Sequence, residues 1–426
     1  MTTITDPPDT GSIPSGHRTG QRGGAVFAVY VASGLLLIAF NLRIGVASVG
    51  PVLRPIEQDL GVSPSTASLL TTIPVFAFGA FAFLTPALTR LIGLHRLLGV
   101  TMAVVALGIG LRLIPSPVAL FGGTVLVGAA IAVANVCMPA AIKQDFGHRV
   151  GLMMSLYSTS MFIGAAVAAA FTVPLLSAFD GSWRGALGFW AVPALVALVV
   201  WIPRAVNAPA RAPGTSVPVD AVIEARDEPK LARLFRDRVA WAVTGFMGLQ
   251  SLSYYAALTW VPTILQDAGV SAHDAGLPLS YTSLPGIVAA LIVPVVVHRV
   301  RPGWVLVAIA AVFCAVAFAG LLIAPTSLAL LWMTLLGLGQ GASISLSLTY
   351  IVLRSPDARH TAHVSTMAQG TGYLLAGFGP LGIGALHTVT GGWGVPIVAL
   401  IVLLGAQLVT GASASRDRHV LATGRL

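Results

Sequence analysis

The chain has 426 residues, of which 56% are hydrophobic and 9% charged, and its 24 Lys and Arg outnumber 15 Asp and Glu to leave a formal charge of +9. Ordinary soluble domains carry about 25% charged residues, so this composition excludes one of them. A hydrocarbon core takes roughly 20 apolar residues per helix, which leaves room here for about twelve helices with short connections.

Residues 1–24 are rich in Pro, Gly, Thr and Ser without an apolar period, and read as a disordered tail. The apolar stretch from Ala25 to Val49 exceeds a signal-peptide core of roughly 7–15 residues and lacks a small-residue cleavage site, so it reads as a retained first helix. Eleven further spans follow: Ser65 to Leu88, Leu97 to Ile114, Val118 to Ile142, Gly151 to Ala178, Trp183 to Ile202, Val239 to Leu265, Leu277 to Val297, Trp304 to Ala324, Leu328 to Leu353, Thr361 to His387 and Val395 to Val409. In lipid the backbone must satisfy its own hydrogen bonds, so each span is a helix and the prolines inside are kinks. The longest polar interruption, Pro203 to Arg238, divides the chain into a six-helix bundle over 25–202, a linker over 203–238, a second bundle over 239–410 and a tail over 411–426. The expected fold is therefore an all-α membrane protein of twelve transmembrane helices in two pseudo-symmetric six-helix bundles.

If both ends lie on one side, the connections on that side hold 20 of the 24 basic residues, and only Arg43, Arg54, Arg112 and Arg184 fall elsewhere. This is the positive-inside pattern, which places both termini and the linker in the cytoplasm of a plasma-membrane protein. It also removes the reason to expect a nucleic-acid partner, because the cations are distributed among loops and form no binding face. Cys137 and Cys314 lie far apart in apolar runs and read as lone buried thiols.

The halves repeat. Gln58-Asp59-Leu60-Gly61-Val62-Ser63 returns as Gln266-Asp267-Ala268-Gly269-Val270-Ser271 at a shift of 208, Thr71-Thr72-Ile73-Pro74 returns as Thr282-Ser283-Leu284-Pro285 at 211, and Pro86 with Arg90 returns as Pro294 with His298 at 208. Three matches in one order indicate a duplicated six-helix unit, with helix 2 of the chain corresponding to helix 8.

No span contains Asp or Glu, so a buried carboxylate relay is not visible. Arg43 is the one charge well inside a span, roughly 9 Å from the midplane at 1.5 Å per residue. An intramembrane charge is a functional-site hypothesis by default, and here its partner would be a substrate anion, backbone carbonyls or water. The competing reading is that Arg43 snorkels to the outer surface. Polar residues recur in spans 1, 4, 5, 7, 10 and 11, as Asn41, Asn135, Tyr157, Gln250, Tyr254, Tyr255, Gln340, Gln369 and Tyr373, while spans 3, 6, 9 and 12 are aliphatic through their middles. Singly, each Asn or Gln reads equally well as an interhelical hydrogen bond, and each Tyr as packing or an interfacial anchor. Together they outline a polar cavity. The candidate substrate-binding set is Arg43, Asn41, Asn135, Tyr157, Gln250, Tyr254, Gln340, Gln369 and Tyr373.

Two glycine motifs are decoys. Gly377-Phe378-Gly379-Pro380-Leu381-Gly382 spells a dinucleotide fingerprint but follows no strand, and with Gly337-Leu338-Gly339-Gln340-Gly341 it reads as close helix packing. His360 and His363 have metal-like spacing without a third ligand and read as a solvated pair. No cofactor is expected, no nucleophile, base and oxyanion arrangement suggests an enzyme, and the partners expected are a small solute and membrane lipid, with the chain acting as a monomer.

The residues Asn41-Leu42-Arg43, Ser48-Val49-Gly50-Pro51, Leu69-Leu70-Thr71-Thr72-Ile73-Pro74-Val75, Asn135-Val136-Cys137-Met138-Pro139, Phe246-Met247-Gly248-Leu249-Gln250-Ser251 and Met367-Ala368-Gln369-Gly370-Thr371-Gly372-Tyr373 make the chain resemble the major facilitator superfamily, in its branch of cyanate- and nitroimidazole-transporter-like permeases. The loop after span 2 departs from the family's G-x-x-x-D-R-x-G pattern: Pro86-Ala87-Leu88-Thr89-Arg90-Leu91-Ile92-Gly93 keeps the last Gly and puts Arg at the acidic position. No gating salt bridge is therefore assigned there. The antiporter Gly-Pro of span 5 is also missing, since Pro174 follows Val173. The resemblance implies alternating access for a small polar or anionic solute, with a drug or nitroaromatic efflux pump as the alternative.

Overall fold

The computed structural model describes residues 18–207, 231–271 and 276–421. Residues 1–17 of the expected tail and 208–230 of the expected linker lie outside the described residues.

The spans appear as α1 (Arg18–Ala47), α3 (Pro64–Ala82) with α4 (Thr85–Ile92), α5 (Leu94–Leu111), α6 (Pro117–Phe146), α7 (Val150–Ala178) and α8 (Trp183–Phe189) with α9 (Ala191–Val206). After the short α10 (Leu231–Leu234) come α11 (Arg238–Asp267), α12 (Gly276–Tyr281) with α13 (Ser283–Val296), α14 (Trp304–Ile323), α15 (Ala329–Leu353), α16 (Ala358–Thr390) and α17 (Gly394–Ala414). The short α2 (Leu53–Leu60) follows α1 and buries Ile56. Capping follows side-chain chemistry: Ser63, Ser182, Asp237 and Asp357 each accept a hydrogen bond from a backbone N–H three residues on, satisfying a donor the helix leaves free.

Three expected single spans are interrupted, span 6 at Trp190 between α8 and α9. Span 2 turns by 60° between α3 and α4. Pro86 explains the position, because it lacks an N–H and its ring clashes with the carbonyl four residues back, at Ala82, where α3 ends. Span 8 breaks at Thr282, between α12 and α13. The breaks differ in place, so the two corresponding helices share a register but not a shape.

The helices form two six-helix bundles that meet along α3 with α16 and α7 with α13. Exchanging the halves converts the first contact into the second, span 2 with span 11 becoming span 8 with span 5. The repeat also shows in matched details. Asp59 accepts a hydrogen bond from Trp183 Nε1 at 3.1 Å, and Asp267 accepts one from Trp393 Nε1 at 2.8 Å, at shifts of 208 and 210. Ile131 to Ile142 on α6 and Gly341 to Val352 on α15, at a shift of 210, are buried without interruption. Both runs lie toward the basic end of the molecule, where the bundles press together: Gln369 Nε2 donates to the Asn135 carbonyl at 2.8 Å, and Ser155 Oγ to the Leu291 carbonyl. A side chain at Gly151 would come within 2.8 Å of the Pro294 carbonyl, so α7 and α13 touch backbone to backbone there.

The decoy glycines pack helices. Gly377 faces the Phe76 ring of the other bundle, Gly379 the Leu252 carbonyl, and Gly341 the backbone of Gly286. His360 Nδ1 pairs with Asp357 at 2.8 Å and His363 Nδ1 with the Arg359 carbonyl at 2.9 Å, each near the start of α16. Cys137 and Cys314 are buried free thiols.

Candidate functional site

The centre of the molecule is organised around Arg43 of α1. Its side chain turns inward, and Nη1 donates to the Tyr255 hydroxyl of α11 at 3.2 Å, a hydrogen bond from one bundle to the other. The ionisable groups whose fields act on this guanidinium are the phenols of Tyr255, Tyr373 and Tyr254, with no carboxylate among them. Neutral phenols leave the positive charge uncompensated. Tyr254 and Tyr255 meet edge to face with centroids 5.2 Å apart, Tyr255 lies 6.5 Å from Tyr373, and Tyr373 rests on Phe78 at 5.4 Å. Arginine and three tyrosines thus form one unit drawn from α1, α11 and α16.

Beside them is a cavity with about 20 Å³ of room, enough for a water molecule or two. It is lined by Arg43, Tyr254, Ser158, Met161, Phe162 and Ala165, with Ile344 and Leu348 closing the far wall. The α7 members follow at i, i+3, i+4 and i+7, one helix face, and the two α15 members at i and i+4. Only Arg43 and Tyr254 of this lining were in the candidate set. Ser158 escaped sequence reasoning because serine is common inside membrane helices, where it bonds its own backbone; here its hydroxyl is buried without a partner. The apolar members carry no signal that separates a cavity wall from a core.

The other candidates divide by what holds them. Asn41 is spoken for: Nδ2 donates to the Leu37 carbonyl at 2.9 Å and to the Pro193 carbonyl of α9 at 3.1 Å, tying span 1 to span 6. Gln250 donates to Ser251 Oγ at 2.7 Å and to the Met247 carbonyl, within its own helix. Gln369 spans the bundles to the Asn135 carbonyl and also reaches Ser365 Oγ at 2.8 Å. Tyr157 is buried with its hydroxyl unpartnered, within electrostatic reach of Tyr373 and Arg43. Asn135 Oδ1, Gln340 Nε2 and Gln369 Oε1 are likewise buried without a partner. Such orphans carry a desolvation cost that a solute or water accepting or donating there would relieve.

A fully buried arginine was not expected. Arg112, at the end of α5, is 1% exposed; its Nη1 donates to the Gly45 carbonyl at 3.0 Å, and Nε and Nη2 have no partner. Sequence counting placed it at the edge of span 3. Its burial depends on glycine, since a Cβ on Gly123 would lie 3.0 Å from Arg112 Cγ and 2.5 Å from the Gly108 carbonyl.

Two bundles related by a parallel repeat and meeting around a central polar unit are transporter architecture, and comparison with known proteins decides which. The Major Facilitator Superfamily profile matches residues 35–380. The chain belongs to the major facilitator superfamily. This superfamily member is 36% identical to an uncharacterized transporter of Bacillus subtilis (strain 168) over 92% of its own length and 94% of that protein's. It is 35% identical to the 2-nitroimidazole transporter of Escherichia coli (strain K12) over 92% of its length and 97% of the other's, and 30% identical to the cyanate transport protein of the same organism over 84% and 90%. Among solved structures, the Escherichia coli fucose:proton symporter aligns over 91% of this chain and 99% of that one with a TM-score of 0.63 at 14% identity. The proton:xylose symporter aligns over 92% and 95% with a TM-score of 0.66 at 13% identity. These two establish the fold, and the sequence relatives the cyanate- and nitroimidazole-transporter-like branch. The chain is a multi-pass membrane transporter.

Proposed function

We propose that this transporter carries a small polar or anionic solute across the plasma membrane by alternating access, binding it at Arg43, with both termini cytoplasmic. The observation that carries the reading is the inward-facing Arg43 guanidinium, uncompensated by any carboxylate among the described residues and joined to Tyr255 of the opposite bundle. An arginine presents parallel N–H groups that grip two electronegative atoms at once. The Tyr255 oxygen accepts from Arg43, so its hydrogen is available to a solute. A bound anion would then hold α1 and α11 together and relieve the buried charge, which favours the closed state only when loaded. The bundles would rock about the contacts of α3 with α16 and α7 with α13, where glycines allow the backbones to slide past one another.

A second reading is a nitroaromatic efflux pump. The relative named for 2-nitroimidazole supports it, as do the Tyr254 and Phe162 rings against which a flat ring can stack. A nitro group offers the arginine the same pair of oxygens. The cavity, with about 20 Å³ of room, favours the smaller solute in this state of the protein.

The test is uptake into proteoliposomes of cyanate, nitrite, 2-nitroimidazole and neutral polar solutes, with and without a proton gradient. Saturable uptake of an anion that Arg43→Ala removes supports the first reading. Transport of polar or anionic solutes that survives Arg43→Ala overturns it, and transport of 2-nitroimidazole alone selects the second. Orientation is tested separately: single cysteines at Ser12, Ser216 and Ser413 should resist an impermeant thiol reagent in intact cells, against a low background because Cys137 and Cys314 are buried.

A further inference from the structure

We propose that the basic rim of the second bundle holds the headgroup of an anionic phospholipid, in two adjoining hollows that share Arg416. The inference is independent of the solute carried. The first hollow, about 710 Å³ at the ends of α13, α14, α15 and α17, is lined by Arg301, Trp304, Tyr350, Arg354, Arg416 and Asp417 among others. The second, about 380 Å³ between α11 and α17, is lined by Arg238, Trp241, Val409, Ser413, Arg416 and Arg418 among others.

Charge is out of balance in both. Among the described residues the one carboxylate in the first, Asp417, is taken by Arg354 at 2.8 Å, and none lines the second. The nearby Asp237 is occupied in accepting from the backbone N–H groups of Ala240 and Leu421. Among the described residues, Arg301, Arg416 and Arg418 form no salt bridge. Tyr350 adds a buried hydroxyl without a partner, and Arg354 a buried unpartnered Nε. A phosphate would meet the unpaired Arg301 and Arg416 in the first hollow, or Arg416 and Arg418 beside Arg238 in the second, the chemistry those groups bind best.

The position selects a lipid as the source of that phosphate. Trp304 and Trp241 flank the hollows at 49% and 45% exposure, as amphipathic rings do at the headgroup level. From there toward the hydrocarbon, Val409, Val402 and Val398 of α17 and Val312 of α14 are all more than half exposed, a surface for acyl chains. Basic pockets between spans on a membrane's basic side recognise anionic headgroups.

The first bundle shows what a closed version of the same place looks like. At shifts of 208, 209 and 213, Gly303, Arg354 and Asp417 correspond to His95, Asp145 and Arg204, with the ion pair reversed in sign. There Arg204 Nη2 lies 3.0 Å from Asp145 and 2.9 Å from His95 Nε2, and Trp201 Nε1 donates to the His95 carbonyl at 2.8 Å. An imidazole and an indole fill the corner and the acid faces inward. In the second bundle glycine stands in place of the imidazole, and the surplus charge faces outward.

The test is native mass spectrometry of the full chain in detergent with equimolar phosphatidylglycerol and phosphatidylcholine. We expect the wild type to retain phosphatidylglycerol with about tenfold preference, and Arg301→Ala/Arg416→Ala to bring the two lipids to parity. Arg149→Ala/Arg359→Ala, which removes the same charge elsewhere on the basic side, should keep the preference. Arg416→Gln alone, the mildest change, should lose about half of it. Retained preference in the Arg301/Arg416 variant, or equal loss in the control, overturns the site. Displacement of phosphatidylglycerol by inorganic phosphate at millimolar concentration also overturns it, because the hollows would then serve a soluble anion.

Discussion

Arg43 and Arg112 are both arginines of the first bundle with no carboxylate partner among the described residues, and they differ in what faces their donors. Arg43 looks into a cavity and across it to the tyrosines of the other bundle. Arg112 is 1% exposed, bonds the Gly45 carbonyl and lays its Cγ over Gly123, with Nε and Nη2 buried and unpartnered. The comparison teaches that depth in the membrane does not by itself make a charge functional. A buried cation acts on a solute only where its free donors open onto space a solute can enter, and otherwise it is a structural cost carried by packing.

That contrast is open to direct attack. Arg43→Ala should reduce uptake at least about thirtyfold, since removing one partner of a buried charge contact costs roughly 2 kcal/mol or more, while the melting temperature in detergent stays put. Arg43→Lys should recover weak transport, because a point charge cannot replace the planar fork. Normal uptake by Arg43→Ala would erase the distinction between the two arginines.

Arg112 should behave in the opposite way. Arg112→Ala opens a void and should cost about 2–4 kcal/mol of stability, read as a fall in melting temperature, with the transport affinity of the surviving protein unchanged. Arg112→Met should be as stable as the wild type or more so, because an apolar chain of similar length removes two unsatisfied donors. A transport defect in a well-folded Arg112→Met would place this residue in the machinery after all.

Smaller effects sharpen the picture around Arg43. Tyr255→Phe removes the hydroxyl that receives its hydrogen bond and should weaken apparent solute affinity about tenfold, in line with about 1.5 kcal/mol for a bond to a charged group. Asn41→Leu, two positions from Arg43, should leave uptake kinetics unaltered and cost about 1 kcal/mol of stability through the lost bond to the Pro193 carbonyl.

Asn41 and Arg43 also mark how far the chain could be read in one dimension. Their types and depth in span 1 stood out, and two positions on a helix is about 200°, so they had to address different neighbours. Which of them met the cavity was decided by α9 and α11, whose residues lie about 150 and 210 positions away. Tyr255 was visible among the polar residues, but nothing in its sequence neighbourhood distinguished it from Tyr254 as the one that meets Arg43. Ser158, Met161 and Phe162 left no trace at all, because a cavity wall and a packed core use the same residue types.

What the sequence determined alone is what local sums and spacings carry. Twelve apolar stretches, the side on which basic residues collect, the break into six plus six and the repeat near a shift of 208 are properties of a string, and the lipid solvent forces each stretch into a helix. The tertiary structure alone decided the burial of Arg112 beside Gly45 and Gly123, the inward turn of Arg43 and the unequal corners at His95 and Gly303. Each of these depends on how a helix is rotated about its own axis and how closely its neighbour approaches. In a membrane, where apolar surface is at home on either side of a helix, that rotation is set by the fit of small and polar residues far apart in the chain, and not by hydrophobicity.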